Sequence, residues 1–383
     1  MLELTRSEAR RMRLVAHGLD RASRTSGDAS AAAGVIAGDA AGAAGCTPVE
    51  VVHRMVAMQG QDLPQVLRAI AIRSAPGTTL ADVRAAFDRG ELVRSWAMRG
   101  TLFVSTPQDL AVLHAAVAPR MRRQEWRMCT DRDIDEAIAA RAAQVLVEHL
   151  ADRPRSRPSL LAVWESAGVE TGGGRGYHLL ALLAYDELVR FGPFDGEAQL
   201  LVGGPPAAVS GAERLVDELV DAELVDAEAA FDDALRRFVL ARGPVSADDA
   251  AWWLGLPKTL VRASLARARG LNRVLVGGTE MLIGEDASGS SSGVHLVPGF
   301  DEWILGYRDR SITAGPAMTQ ALVPGNNGVF KPAVLIDGRT VGTWRWPPQR
   351  GTRPVEPVLQ IVEDVTASTR ARIERALARW PHR

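Results

Sequence analysis

At 383 residues the chain is too long for one small hydrophobic core, so roughly two to four modules are expected. Its net charge of −1 carries no footprint of a strongly basic nucleic-acid binder, and its 46% hydrophobic content is that of an ordinary globular protein. Cys46 and Cys129 are the only cysteines, which excludes a disulfide framework or a thiolate zinc site, and no apolar run approaches bilayer length.

Met1-Leu2-Glu3-Leu4 begins no signal peptide, and the expected location is cytoplasmic and nucleoid-associated. Thr5-Arg6-Ser7-Glu8 is a capping box that opens a helix to about His17. Residues 24–45, rich in Ala, Gly, Ser and Asp, read as a low-complexity insertion. A second capping box, Thr47-Pro48-Val49-Glu50, opens a helix carrying Val51, Val52, Met55, Val56 and Met58 at helical spacing. Helices near 64–73 and 80–88 follow, and residues 92–104 read as two strands bent at Arg99-Gly100. The same plan recurs twice. Helices near 133–150, 159–167 and 176–186 lead to strands at 188–191 and 198–202. A helix at 227–242 and two shorter ones lead to strands at 273–276 and 280–283, joined by Gly277-Gly278. A helical trio backed by a two-stranded ribbon is the winged helix-turn-helix plan.

The fold class expected is therefore α+β: three tandem winged helices and a small C-terminal β-barrel or sheet domain. The first winged helix spans 1–118, the second 119–210 and the third 211–286. Residues 287–293 link them to the β domain at 294–383, which a helix at 366–380 closes.

Met58-Gln59-Gly60-Gln61-Asp62 is the stretch that best suggests chemistry. Two amides at i and i+2, followed by a carboxylate, stand where an amphipathic helix runs out. A buried amide needs several hydrogen-bond partners, so glutamines here either cap a helix end or orient something polar. Arg99, at the tip of the first ribbon, either meets a phosphate or is a solvated turn residue. Arg120, Arg122, Arg123, Arg127 and Arg132 cluster, and an acidic stretch between 213 and 228 offsets them. The cluster either recognises phosphate or forms one solvated helical face. Lys258 and Lys331 are the only lysines, a bias that coding composition explains as well as phosphate recognition does. Asp301 and Glu302, with Asp309 and Arg310, are read as a structural Asp–Arg contact within the β domain, the two adjacent carboxylates pointing to opposite faces of a strand. The seven histidines show no metal-binding spacing.

Several blocks in order along the chain resemble the winged-helix bacterial DNA glycosylases of the AlkZ and YcaQ type, which unhook interstrand crosslinks. They are Gln59-Gly60-Gln61, Met98 to Leu102, Gly176 to Leu180, Phe191-Gly192-Pro193, Trp252 to Leu256, Pro298 to Glu302, Gly306 to Arg310, Val334 to Arg339 and Gly342-Thr343-Trp344. The resemblance implies tandem winged helices around double-stranded DNA that is alkylated or crosslinked, and a monomer. It maps the family's glutamine–aliphatic–glutamine motif onto Gln59 and Gln61. Gly60 departs from the usual central residue, and Phe103 stands where a histidine is expected. The implied activity is hydrolytic excision of N-alkylated purines without metal or organic cofactor. Gln59 and Gln61 position water, Asp62 is a candidate electrostatic helper, and Arg99 contacts phosphate. A scarcity of lysine argues against a Schiff-base lyase. The alternative is a non-catalytic winged-helix DNA-binding protein or transcriptional regulator.

Overall fold

The computed structural model describes residues 1–20, 46–204, 220–287, 291–347 and 355–382. The low-complexity insertion and residues 213–219 of the acidic stretch fall outside the described residues. The chain is mixed α+β and forms two compact units, Met1–Val83 with Leu235–Arg383, and Arg84–Ala234.

The elements follow local signals closely. After β1 (Leu2–Leu4), α1 (Arg6–Ala16) starts at a complete Thr5–Glu8 capping box, and α2 (Pro48–Met55) starts at the Thr47–Glu50 box with proline in its first turn. A two-residue strand β2 (Met58–Gln59), α3 (Leu63–Ala71) and α4 (Leu80–Asp88) complete the N-terminal part.

The second unit contains β3 (Val93–Met98), β4 (Thr101–Ser105), α5 (Pro107–Thr130), α6 (Glu136–Leu150), α7 (Arg157–Ser166), α8 (Arg175–Tyr185), β5 (Val189–Asp195) and β6 (Ala198–Gly203). Its two hairpins are joined edge to edge, because Arg94 of β3 pairs with Phe191 of β5, giving the order β4-β3-β5-β6. A hairpin has two open edges, and pairing them satisfies backbone groups that either hairpin alone would leave exposed. The long helix α9 (Val220–Arg242) leads back into the first unit.

There, α10 (Ala247–Leu254) and α11 (Lys258–Arg267) precede the hairpin β7 (Leu271–Val276) and β8 (Thr279–Gly284). β1 pairs in parallel with β7, Leu4 opposite Val276, so the first residues add a strand to the third ribbon. The remaining elements are β9 (Val294–Val297), α12 (Glu302–Leu305), α13 (Pro316–Leu322), β10 (Ala333–Ile336), β11 (Arg339–Arg345), β12 (Val358–Ile361) and α14 (Ala367–Ala378). Strands β9 to β12 form an antiparallel sheet in chain order.

That sheet is buried on both faces, and strand alternation divides the labour. Val297, Ala333 and Leu335 join Leu14, Trp303 and Met318 in one core. Leu296, Val334 and Trp344 face the other way and pack with Ile373, Leu377 and Trp380 at the C-terminal helix. A third core unites Leu4 and Ala9 with Val274, Val276, Met281, Ile283 and Ile312. Among the described residues no helix is long and apolar enough to cross a membrane.

Candidate active site and arginine face

The Gln59 segment begins with a break in the helix. Val56 takes φ 65 and ψ −53, which no α-helix continues, and Ala57 N–H donates to Met55 C=O at 2.8 Å. This is a γ-turn with positive φ at its centre, a rare and strained conformation, and more so for a β-branched residue. Val56 is buried at 1% exposure, so packing holds it there.

Beyond the turn, Gln59 is 8% exposed. Its backbone N–H donates to Glu302 Oε1 at 2.8 Å. Its side-chain Oε1 is buried and has no hydrogen-bond partner among the described residues. An amide oxygen left without a partner costs free energy in a folded protein, and this one has lone pairs open to a hydrogen-bond donor. Gly60 is buried and Gln61 is exposed, so the two amides of the motif stand in different environments. Asp62, partly buried, is the N-cap of α3 and accepts the Gln65 backbone N–H at 3.1 Å. The three expected site residues thus lie on one short segment, one of them committed to a helix end.

Glu302 holds this segment from the far side of the sequence. It opens α12, is 1% exposed, and its Oε2 accepts Arg242 Nη2 at 2.8 Å and Trp253 Nε1 at 3.1 Å. Arg242, fully buried, also donates to Met55 C=O at 3.1 Å and Ala57 C=O at 3.2 Å. Its guanidinium lies 4.6 Å from the ring centres of both Phe238 and Trp253. Gly306 leaves the room: a Cβ there would meet Glu302 C=O at 2.6 Å and Arg242 Nε at 3.0 Å.

A second buried pair lies next to it. Arg73 donates to both oxygens of Asp301, at 2.8 and 2.7 Å. His17 Nδ1 stands 3.4 Å from Arg73 Nη2, and His17 Nε2 stands 2.9 Å from the Tyr307 hydroxyl, which donates to Arg242 C=O at 2.7 Å. That pattern assigns the proton of a neutral His17 to Nε2. Burial, then the nearby Arg73, Arg242, Arg13 and Arg54, push the His17 pKa well down, and burial raises that of Tyr307.

These contacts correct the expectation for Asp301 and Glu302. They are not on a strand but are the N-cap and first residue of α12, Asp301 accepting Trp303 N–H at 2.8 Å. Asp301 pairs with Arg73, outside the C-terminal segment, while Arg310 Nε donates to Ile304 C=O. The two carboxylates do serve separate cations. Arg242 and Glu302 were not singled out as site residues from sequence. The signal available was slight: Arg242 directly follows the apolar run Phe238 to Ala241, and Glu302 directly precedes Trp303 to Leu305, each with other charges close by.

In the other unit Arg99 sits at the tip of the β3–β4 hairpin, with φ 55 followed by Gly100 at φ 68, the two-residue turn whose twist suits a hairpin. Arg99 is half-buried, its guanidinium 5.4 Å from the Phe103 ring centre. Arg120, Arg122, Arg123 and Arg127 are all exposed on α5. Arg122 is ion-paired with Asp186. Arg120, Arg123 and Arg127, spaced three and four residues apart, form one face and have no ion pair among the described residues.

Among the described residues no group of three metal-ligating side chains comes together. A cavity of about 880 Å³ lies elsewhere in the first unit, lined by His295, Arg372, Arg375, Arg379 and Trp380, and touches none of Gln59, Gln61 or Asp62. The cavity and the buried Gln59 oxygen are therefore separate features of the first unit.

Residues 52–382 match the family model of AlkZ-like DNA glycosylases, and the chain belongs to that family. A curated relative, the interstrand DNA cross-link repair glycosylase of Streptomyces sahachiroi, is 24% identical over 312 residues, covering 77% of this chain and 81% of the relative. The solved structure of Streptomyces sahachiroi DNA glycosylase AlkZ superimposes with a TM-score of 0.71 at 19% identity, over 100% of this chain and 97% of that one.

Proposed function

We propose that the protein binds double-stranded DNA and hydrolyses the N-glycosidic bond of N-alkylated purines, including purines tethered in interstrand crosslinks. The observation that carries this reading is the buried Oε1 of Gln59, without a hydrogen-bond partner among the described residues, in a member of a DNA glycosylase family. The three helix-plus-hairpin segments are read as tandem winged helices that present the DNA-binding surface.

The chemistry asked of these residues is modest. An N7-alkylguanine is already cationic, so when N9–C1′ breaks, the bonding electron pair moves to N9 and neutralises the ring. Water adds to C1′ and its proton leaves to solvent. Glutamine cannot take a proton at neutral pH, but Gln59 Oε1 can accept a hydrogen bond from that water and fix its approach. Gln61, exposed two residues on, supplies a second amide to water or the nucleotide. Asp62 contributes negative charge near the developing oxocarbenium ion. Arg99 and the Arg120, Arg123, Arg127 face meet phosphates.

The test is incubation with a duplex carrying N7-methylguanine and with a crosslinked duplex, scoring released base and unhooked strand. Release that disappears in the Gln59→Ala, Gln61→Ala double variant is the expected result. Tight, salt-sensitive binding without release by the wild-type protein would sink the enzyme reading in favour of a non-catalytic DNA-binding protein.

A further inference from the structure

The Arg242–Glu302 pair is an odd way to fill a core. Both groups are stripped of water, and a pair of apolar side chains of similar size stabilises a protein as well or better. What an apolar pair could not do is hold backbone. The terminal nitrogens of Arg242 reach Met55 C=O and Ala57 C=O, the two carbonyls flanking Val56, at 3.1 and 3.2 Å. Glu302 reaches the Gln59 N–H at 2.8 Å and ties Arg242 back at 2.8 Å. Side chains from α9 and α12 therefore grip the chain on both sides of a strained turn. The grip ends on the residue whose side-chain oxygen has no partner among the described residues. Strained backbone persists only where its surroundings over-determine it, and such strain collects at functional sites.

We propose that Arg242 and Glu302 are positioning residues: together they clamp the Met55–Val56–Ala57 turn and the Gln59 amide, and so fix where Gln59 presents its oxygen. The inference rests on the reading of Gln59 as the residue that orients water. Glu302 touches no reacting atom and acts only through Gln59. Trp253 Nε1, at 3.1 Å from Glu302 Oε2, fixes the carboxylate's second oxygen so that the first faces Gln59. Gly306 lets Arg242 approach the start of α12.

The experiment uses the full chain with Glu302→Gln and Arg242→Lys. In the first, an amide nitrogen replacing either carboxylate oxygen faces N–H donors, Gln59 on one side or Arg242 and Trp253 on the other. In the second, the charge survives but a single ammonium cannot serve both carbonyls and the carboxylate. Excision is followed under single turnover on the N7-methylguanine duplex, at a temperature where circular dichroism shows each variant folded. The expected result is a loss of at least about tenfold in rate with duplex affinity within about twofold of wild type, since a small misplacement of an orienting group costs rate without costing binding. In parallel, ¹⁵N-glutamine labelling reports amide exchange. The Gln59 signal is expected to exchange faster in either variant while Gln144, in the middle of α6, is unchanged.

A folded variant with wild-type excision, or with wild-type exchange at Gln59, overturns the proposal. If wild type itself releases no base, the glycosylase reading falls and this inference falls with it. Release by wild type that a folded variant matches overturns the clamp alone.

Discussion

Arg73 and Asp301, 228 residues apart in sequence, share two parallel hydrogen bonds of 2.8 and 2.7 Å with neither side chain exposed. The same carboxylate caps α12 through Trp303 N–H. One side chain thus ties the N-terminal helices to the segment that starts with Glu302. Removing the carboxylate leaves a guanidinium buried without its counter-charge. Asp301→Ala is expected to cost about 3–5 kcal/mol, read as a lower urea midpoint at an unchanged slope. A loss below about 1 kcal/mol would show that water reaches Arg73 and replaces its partner.

Acid should destabilise the protein through its buried histidines before its carboxylates titrate. Burial lowers the His295 pKa from the ordinary 6.5 to about 4, and that of His17 falls well below the same value. Between these limits the unfolded chain binds a proton that the folded one refuses. His295 therefore contributes stability in full above pH 6.5, and loses it as pH falls towards 4. From the His295 shift alone, stability at pH 5 should be about 2 kcal/mol below that at pH 7. Denaturation at both pH values, with His295→Leu as control, checks this. The variant should lose about that much of the pH dependence, and equal slopes in the two proteins would refute it.

The α5 arginines make a separable prediction about DNA. Arg120, Arg123 and Arg127 carry no ion pair among the described residues, whereas Arg122 is held by Asp186. Each phosphate contact contributes about 0.9 to the slope of log affinity against log salt. Replacing all three by serine should lower the slope by up to about 3 and weaken binding to every duplex sequence alike. Arg122→Ser should change it less. Anisotropy titrations across a salt series make the measurement, and an unaltered slope in the triple variant removes α5 from the DNA interface.

Asp62 has two jobs that substitution can part. As the N-cap of α3 it is replaceable by asparagine, which caps as well, but not by alanine. Asp62→Ala should cost about 1 kcal/mol of stability and Asp62→Asn almost nothing. If its charge also helps the oxocarbenium ion, Asp62→Asn slows excision of N7-methylguanine at unchanged melting temperature. Excision at the wild-type rate in Asp62→Asn would leave Asp62 as a cap only.

Much of the local structure was legible because it is written in neighbours. Thr5 with Glu8, Thr47 with Glu50 and Ser246 with Asp249 specify helix starts within four residues, and all three form complete capping boxes. Arg99-Gly100 specifies a hairpin tip because both residues take positive φ. The ribbons at 188–202 and 273–283 follow from alternation and glycine turns, and appear as β5–β6 and, slightly longer, β7–β8. Other features depend on partners far along the chain. No local signal announces that Leu2–Leu4 is a strand, because it becomes one only against β7. Residues 294–347, read as strand and turn, also contain α12 and α13.

The sequence by itself determined the family and the order of helices and ribbons, since composition, periodicity and short motifs are properties of adjacent residues. Only the tertiary structure decided how Gln59 and Gln61 differ, one buried, its side-chain oxygen without a partner among the described residues, and the other exposed. It also decided which charges are paired: Arg73 with Asp301, and Arg242 with Glu302. The physical reason is that burial and electrostatic pairing depend on what surrounds a group in space. A charge withdrawn from water must find its opposite wherever folding brings one, and no spacing rule records residues 60 or 228 positions away.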